Sequence, residues 1–451
     1  MSKFVRYRFK LKAKSPLYFG SSEKGELLKD SYDKPFLMGN SIAGVIRSYF
    51  ELEHKDIDIK KYLGGKTQED FKESKLRITD GNIKISNNEE FKPEIKEGTK
   101  IDYDTGVACD GGKYQFNYIP IGEKLDFDIE IEDKYIENEI DDLVEKIACG
   151  IEKEYITFGG QINNGFGKLE IEKIMKKVYD LTNKKDFENF IKKRDSVEGE
   201  IFKYQLDSRH EENNIVNIVL EGSFPYGVYQ SFEKKDEKDK AVTGLQKNKQ
   251  GYYIPATSIR GLIRSNLARL FKQSDIKDEY LTVFMGGKTY KKQHRGKLKF
   301  EDVYINESKK IEINRMDSDE TNPVYNKIDR LTGGVMNSAC ITHEEIKGKA
   351  RINLQFVKKQ EDDIDYKYFL YPIIIILRNI GLGFIPIGGA TNKGLGEFRG
   401  EKLTIEDGII SQEHSIELKD GKASLNEEGR KYLVNLKNEL KQFIEDGDNN
   451  G

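Results

Sequence analysis

Two glycine-rich stretches carry the first sign of chemistry in this chain. Phe158-Gly159-Gly160-Gln161-Ile162-Asn163-Asn164-Gly165-Phe166-Gly167-Lys168-Leu169 returns 229 positions later as Ile387-Gly388-Gly389-Ala390-Thr391-Asn392-Lys393-Gly394-Leu395-Gly396-Glu397-Phe398. Four glycines and one asparagine keep identical spacing inside hydrophobic flanks. Glycine admits conformations and close approaches that side chains forbid, so its bare N–H groups can line an anion site such as an RNA phosphate. Gly159, Gly160, Gly165 and Gly167, with Gly388, Gly389, Gly394 and Gly396, are therefore candidate phosphate contacts, joined by Asn163, Asn392 and Lys393. The competing reading is a tight turn that packs against a sheet. The spacing does not match GxxxxGK[ST], which argues against ATP.

A second candidate is a pair of helix starts, Ser41-Ile42-Ala43-Gly44-Val45-Ile46-Arg47 and Ser258-Ile259-Arg260-Gly261-Leu262-Ile263-Arg264. Ser41 and Ser258 suit N-caps, and a helix N-terminus offers free N–H donors and partial positive charge to phosphate. Arg47, Arg260 and Arg264 add forked donors, unless they only form surface salt bridges. Ala43 stands where the second copy has Arg260, so the copies are expected to grip RNA unequally. The histidines (His54, His210, His294, His343 and His414) occupy no matched positions, which argues against a shared histidine acid–base.

These elements belong to a duplicated module. Tyr62-Leu63-Gly64-Gly65-Lys66 matches Phe284-Met285-Gly286-Gly287-Lys288, Asp80 matches Asp302, and Ile101-Asp102-Tyr103-Asp104-Thr105-Gly106 matches Ile328-Asp329-Arg330-Leu331-Thr332-Gly333, always in order. Each copy opens on an alternating strand (Phe4 to Leu11; Ile215 to Leu220) and runs through a Gly-bearing turn to a helix with apolar residues at helical spacing. Further strands and a second helix follow (Ile140 to Ile151; about Tyr366 to Ile380), then the glycine loop and a closing strand. That order predicts an α+β chain of two tandem ferredoxin-like, RRM-like domains. Residues 1–195 and 196–405 are the expected domains, with an acidic extension over 406–451 that is helical from Glu427 to Ile444.

A chain of 451 residues suits two domains. The net charge of -3 counts against a free-standing nonspecific nucleic-acid binder, so basic contacts must be local, as in the stripe 288–297. No apolar run approaches the roughly 20 residues of a membrane span. Cys109, Cys149 and Cys340 show no CxxC spacing and suit small buried fillers in a reducing cytoplasm.

With these motifs in order, the chain resembles two fused copies of the RAMP superfamily, most of all the backbone subunits of type III CRISPR effector complexes. Ile254-Pro255-Ala256-Thr257-Ser258-Ile259-Arg260-Gly261-Leu262-Ile263-Arg264 is similar to the family's "IPGSSLKGxxR" helix entry, and Ile328-Asp329-Arg330-Leu331-Thr332-Gly333 to its "IDRxTG" strand. The resemblance implies guide (CRISPR) RNA and target RNA as partners, with other RAMP subunits and the complex's large subunit as neighbours. It also implies thumb-like hairpins, here about 87–112 and 313–339. It further implies metal-dependent cleavage of target RNA by an aspartate before the "IPGSS" helix. Asp239 is the match, with Asp236 a distant second, and Mg2+ or another divalent metal held by Asp239 is the implied cofactor. The first copy has Lys24 at that place, with Glu23, Glu26 and Asp30 nearby, so a weak or inactive site is expected there. The alternatives are a non-catalytic structural subunit and a metal-independent guide-RNA-processing ribonuclease, which would want a histidine near the first helix, where only His54 lies.

Overall fold

A computed structural model describes residues 3–66, 71–84, 91–102, 108–132, 137–192, 199–206, 214–235, 241–274, 276–288, 293–294, 296–312, 322–358 and 367–448. The chain is α+β and falls into two compact units, one of residues 1–100 and 108–209 and the other of residues 101–107 and 210–451. Half of the basic stripe 288–297 and most of the linker region 192–200 lie outside the described residues.

The first unit is an antiparallel sheet. The closing strand Leu169–Asp180 pairs with the opening strand Lys3–Ala13, which pairs with Lys124–Glu132, and that strand pairs with Gly81–Lys84. Alternation in the opening strand decides its two faces. Val5, Tyr7, Phe9 and Leu11 enter a core with Leu125, Phe127, Ile129 and Ile131. Onto it pack Ile42, Ile46 and Phe50 of the helix Gly39–Glu53, and Ile140, Val144, Ile147 and Ile151 of the helix Glu137–Glu152. On the opposite face a cluster of charges is shut away from water. Arg8 grips Asp128 through Nε and Nη2 at 2.7 and 2.8 Å, and Arg6 Nε lies 2.8 Å from Glu130. All four side chains are at most 7% exposed, so each buried charge is compensated by its partner.

The second unit repeats the plan. Its closing strand Arg399–Asp407 pairs with the opening strand Ile215–Val228, then come Ile346–Val357 and Val303–Lys310. Opening and closing strands slip register between Lys10 and Leu11 in the first unit and between Glu221 and Gly222 in the second, positions 211 apart. The helices Ala256–Gln273 and Lys367–Gly381 cover its core face. The segment set apart by composition adds strands Gln412–Lys419 and Lys422–Leu425 beyond the closing strand. It ends in the helix Glu427–Asp448, whose Tyr432 and Leu436 join the core. Among the described residues of the first unit, only Glu200–Ile201 pairs with the corresponding edge.

Each unit also carries a ribbon apart from its main sheet, Glu94–Ile101 with Ala108–Tyr118 and Val324–Ile328 with Val335–Glu344. Cys109 and Cys149 are half-buried rather than enclosed. No helix among the described residues is long and apolar enough to cross a membrane.

Candidate functional site

The two helix tips are built alike, but not by the serines. Helix starts fall at Gly39 and Ala256, so Ser41 and Ser258 are third residues, and neither acts as the N-cap expected from sequence. The first amides are capped from afar. Asp80 accepts the Gly39 N–H at 2.8 Å and Asp302 the Ala256 N–H at 2.7 Å. A carboxylate thus already answers the helix dipole at the place offered to phosphate. Ser258 Oγ accepts a hydrogen bond from Gln230, and Ser41 Oγ lies 3.5 Å from Asn40.

The arginines also have local duties. Arg47 Nη2 donates to the carbonyls of Leu63 and Gly64 at 2.8 and 3.0 Å. Arg264 Nη1 donates to Gly286 at 3.2 Å, and Arg260 Nη2 to Met285 at 2.6 Å. These contacts clamp the matched Gly-Gly turns, where Gly64, Gly65, Gly286 and Gly287 all have positive φ. Neither phosphate contacts nor surface salt bridges alone describe these side chains.

In the glycine loops, six amides expected to face phosphate donate inside the protein instead. Gly160 and Gly389 bond the carbonyls of Tyr18 and Tyr229 at 2.8 and 2.7 Å. Gly167 and Gly396 bond Pro16 and Gly227 at 2.9 Å, and Gly165 and Gly394 close one-turn 3₁₀ helices onto Ile162 and Thr391. A methyl on Gly159 would stand 2.5 Å from the Tyr18 oxygen, and one on Gly388 would stand 2.5 Å from the Tyr229 oxygen. The glycines latch the loop onto the chain leaving the opening strand. What faces outward is the crest. Thr391, Asn392, Lys393 and Gly394 are exposed, whereas Asn163 and its neighbours are half-buried.

Beneath these latches the units part company. Under the first lie Phe116, Tyr118 and Phe166, at most 8% exposed, with the Phe116 ring 5.1 Å from that of Tyr18. Under the second, His343 stacks on Tyr229 at 4.0 Å and lies 4.4 Å from Tyr325. Phe116 and His343 are 227 positions apart, the spacing of Ile101 and Ile328, so they hold the same place. His343 is 4% exposed and its Nδ1 has no hydrogen-bond partner; burial first, and then Lys393, lowers its pKa. Tyr325 donates to Glu345 at 2.7 Å, its pKa pushed up to about 12 by burial and by that bond, while Lys393 Nζ sits 3.9 Å over its ring. Sequence reasoning passed over His343 because its counterpart is not a histidine.

The strands Phe232–Lys235 and Ala241–Gly244 flank Asp236 and Asp239, which both lie outside the described residues. The second of these strands runs parallel to Val335–Glu344, with Thr243 opposite His343. Lys234 and Lys310 both bind Glu344; burial alone would raise the Glu344 carboxyl, and these two ammonium groups outweigh it and hold it low. Among the described residues no group of three or more His, Cys, Asp or Glu side chains converges as metal ligands. In the first unit Asp30 accepts the amides of Tyr32 and Lys34, and Glu26 accepts from Asn117, so these acids organise turns.

The two copies are recognised as one family. The RAMP superfamily model matches residues 10–170 and again 238–399. The chain belongs to the RAMP superfamily. Both matches run through the first helix to the glycine loop, the first beginning within the opening strand and the second after it, so the tandem RAMP organisation read from the repeat is borne out, and with it a CRISPR-associated, RNA-binding role. Comparison with curated proteins gave no match.

Proposed function

We propose that this RAMP protein is a guide-RNA-binding backbone subunit of a type III CRISPR effector complex, and that its second unit cleaves target RNA with a divalent metal. The observation that carries the reading is the duplicated unit itself. Each copy has strand order closing–opening–third–second with two helices on one face, as a ferredoxin-like, RRM-like domain requires. The ribbons are the candidates for thumbs. In the second, Asp329 accepts the amides of Leu331 and Thr332 and holds the turn, leaving Leu331 97% exposed at its apex. Base pairing would then supply sequence selection while protein holds the backbone.

Asp239 is the residue we assign to catalysis and to Mg2+, with Asp236 secondary. That assignment rests on the family resemblance; the described carboxylates Glu344 and Glu345 are engaged by lysines and by Tyr325. Bound there, Mg2+ would neutralise charge developing on the scissile phosphate. Guide and target RNA, other RAMP subunits and the large subunit are the proposed partners, in the cytoplasm. In the assembled complex, Asp239→Ala should reduce target cleavage at its interval by on the order of 100-fold or more while RNA stays bound. Undiminished cleavage by that variant would leave the non-catalytic structural subunit.

One observation favours a second reading, guide-RNA processing without metal: the unsatisfied Nδ1 of His343 close to Lys393. It requires the purified chain to cut precursor RNA in the presence of EDTA.

A further inference from the structure

The surface beside the second glycine loop carries side chains that neither the latch nor the proposed cleavage uses. Phe384, in the turn that leads to the loop, is 71% exposed although its own N–H is fixed at 2.9 Å to the Asn379 carbonyl and Ile385 is packed on the core. Tyr226 is 49% exposed where the opening strand ends. Arg399 donates from Nη2 to the Tyr226 hydroxyl at 2.6 Å, with Cζ 4.9 Å from the ring centroid, and its Nε lies 3.0 Å from Glu397. The pieces are contiguous. A methyl on Gly383, next to Phe384, would lie 3.2 Å from Glu397 Cγ, and Gly227, next to Tyr226, accepts the Gly396 amide of the loop.

Among the described residues, the first unit has nothing comparable at the matched positions. Ser15 occupies the place of Tyr226, is 8% exposed, and its Oγ accepts the Lys168 amide at 2.9 Å. Tyr155 occupies the place of Phe384 and is half-buried, its ring near-parallel to Tyr49 at 6.1 Å. Glu170 stands where the second unit has Arg399 and pairs with Lys12. An aromatic held out by a fixed backbone loses little freedom on binding, and a neighbouring guanidinium suits a nucleotide's phosphate and its base alike.

We propose that Phe384, Tyr226 and Arg399 form a stacking platform for unpaired bases of single-stranded RNA, present in the second unit only. The proposal rests on the RNA-binding reading given above and locates where unpaired nucleotides leave the loop. A base has an apolar face for each ring, and Arg399 brings a cation to the backbone between them.

The chain has no tryptophan, so Phe384→Trp and Tyr226→Trp each create a lone fluorescent reporter. Phe187→Trp, at a 46% exposed position of the first unit, is the control. Titration of the full chain with a single-stranded oligouridylate should quench both second-unit reporters and spare the control. Phe384→Ala and Tyr226→Ala, checked for folding by thermal melting, should each weaken binding by roughly 5- to 100-fold. If the unaltered chain binds the RNA by anisotropy while neither reporter is quenched and both alanine variants bind normally, the platform is refuted and RNA binding stands. If the unaltered chain fails to bind, the RNA reading falls and takes the platform with it.

Discussion

The ground under the first glycine loop is a plug of Phe116, Tyr118 and Phe166; under the second it is His343, Tyr325 and Glu345, with Lys393 overhead. The loops above are nearly identical, down to the carbonyls that receive their amides. Duplication has therefore kept the parts that shape backbone and released the side chains that backbone does not constrain. In the first copy those side chains are core. In the second they are polar or charged, with His343 and Glu345 buried, Tyr325 half-buried and Lys393 exposed.

The sheet faces opposite the helices give the sharpest test of that contrast. Asp128→Ala strands Arg8 inside the first unit, while Arg6 keeps Glu130, and should cost about 3–5 kcal/mol. Glu221→Ala, which breaks a 4.0 Å pair with Arg351 between half-exposed side chains of the second, should cost at most about 0.5 kcal/mol. Urea unfolding of both variants measures the difference, and equal losses would end the comparison.

Within one loop, Gly396 and Gly394 share φ of +84° but not surroundings. A methyl on Gly396 overlaps the Ile387 carbonyl oxygen, whereas one on Gly394 meets nothing within 4 Å. Gly396→Ala should cost on the order of 3 kcal/mol and Gly394→Ala about 1 kcal/mol, read from the shift in denaturation midpoint.

Where the units agree, substitutions should agree. Asp80→Ala and Asp302→Ala each remove a distant cap and should each cost about 1 kcal/mol, with helix content measured by circular dichroism falling alike.

The smallest effect is on pH. Burial lowers the pKa of His343, so the unfolded chain takes up its proton first as pH falls, and stability is lost on acidification below about 6.5, the ordinary histidine value. His343→Phe should remove part of that loss, measured by thermal melting between pH 7 and 5. A part remains, because burial depresses His414 in the same way. A first unit with Phe116 in that place contributes none of this slope.

The sequence made the duplication, the helices and the glycine loops readable, because period and spacing are local signals. Glu137–Glu152 and Lys367–Gly381 fall within a few residues of their expected limits. The helix starts were misread because the usual signal, a serine, was available locally while the cap in use sits 41 or 46 residues away on Asp80 or Asp302. Glycine spacing told that the loops needed bare backbone without telling for whom, and the neighbour proved to be the protein's own carbonyls. His343 escaped notice because shared chemistry was sought at matched positions, whereas the copies differ in chemistry there.

The added strands Gln412–Lys419 and Lys422–Leu425 have a practical consequence for anyone trimming the chain. The family match stops at Arg399, the first residue of the closing strand, while that strand's outer partner begins at Gln412. A fragment ending at residue 399 would lose the strand that pairs with Ile215–Val228 and bare a long apolar edge, a ready template for aggregation. Expression should run through the final helix, to about residue 448, for the second unit to remain soluble.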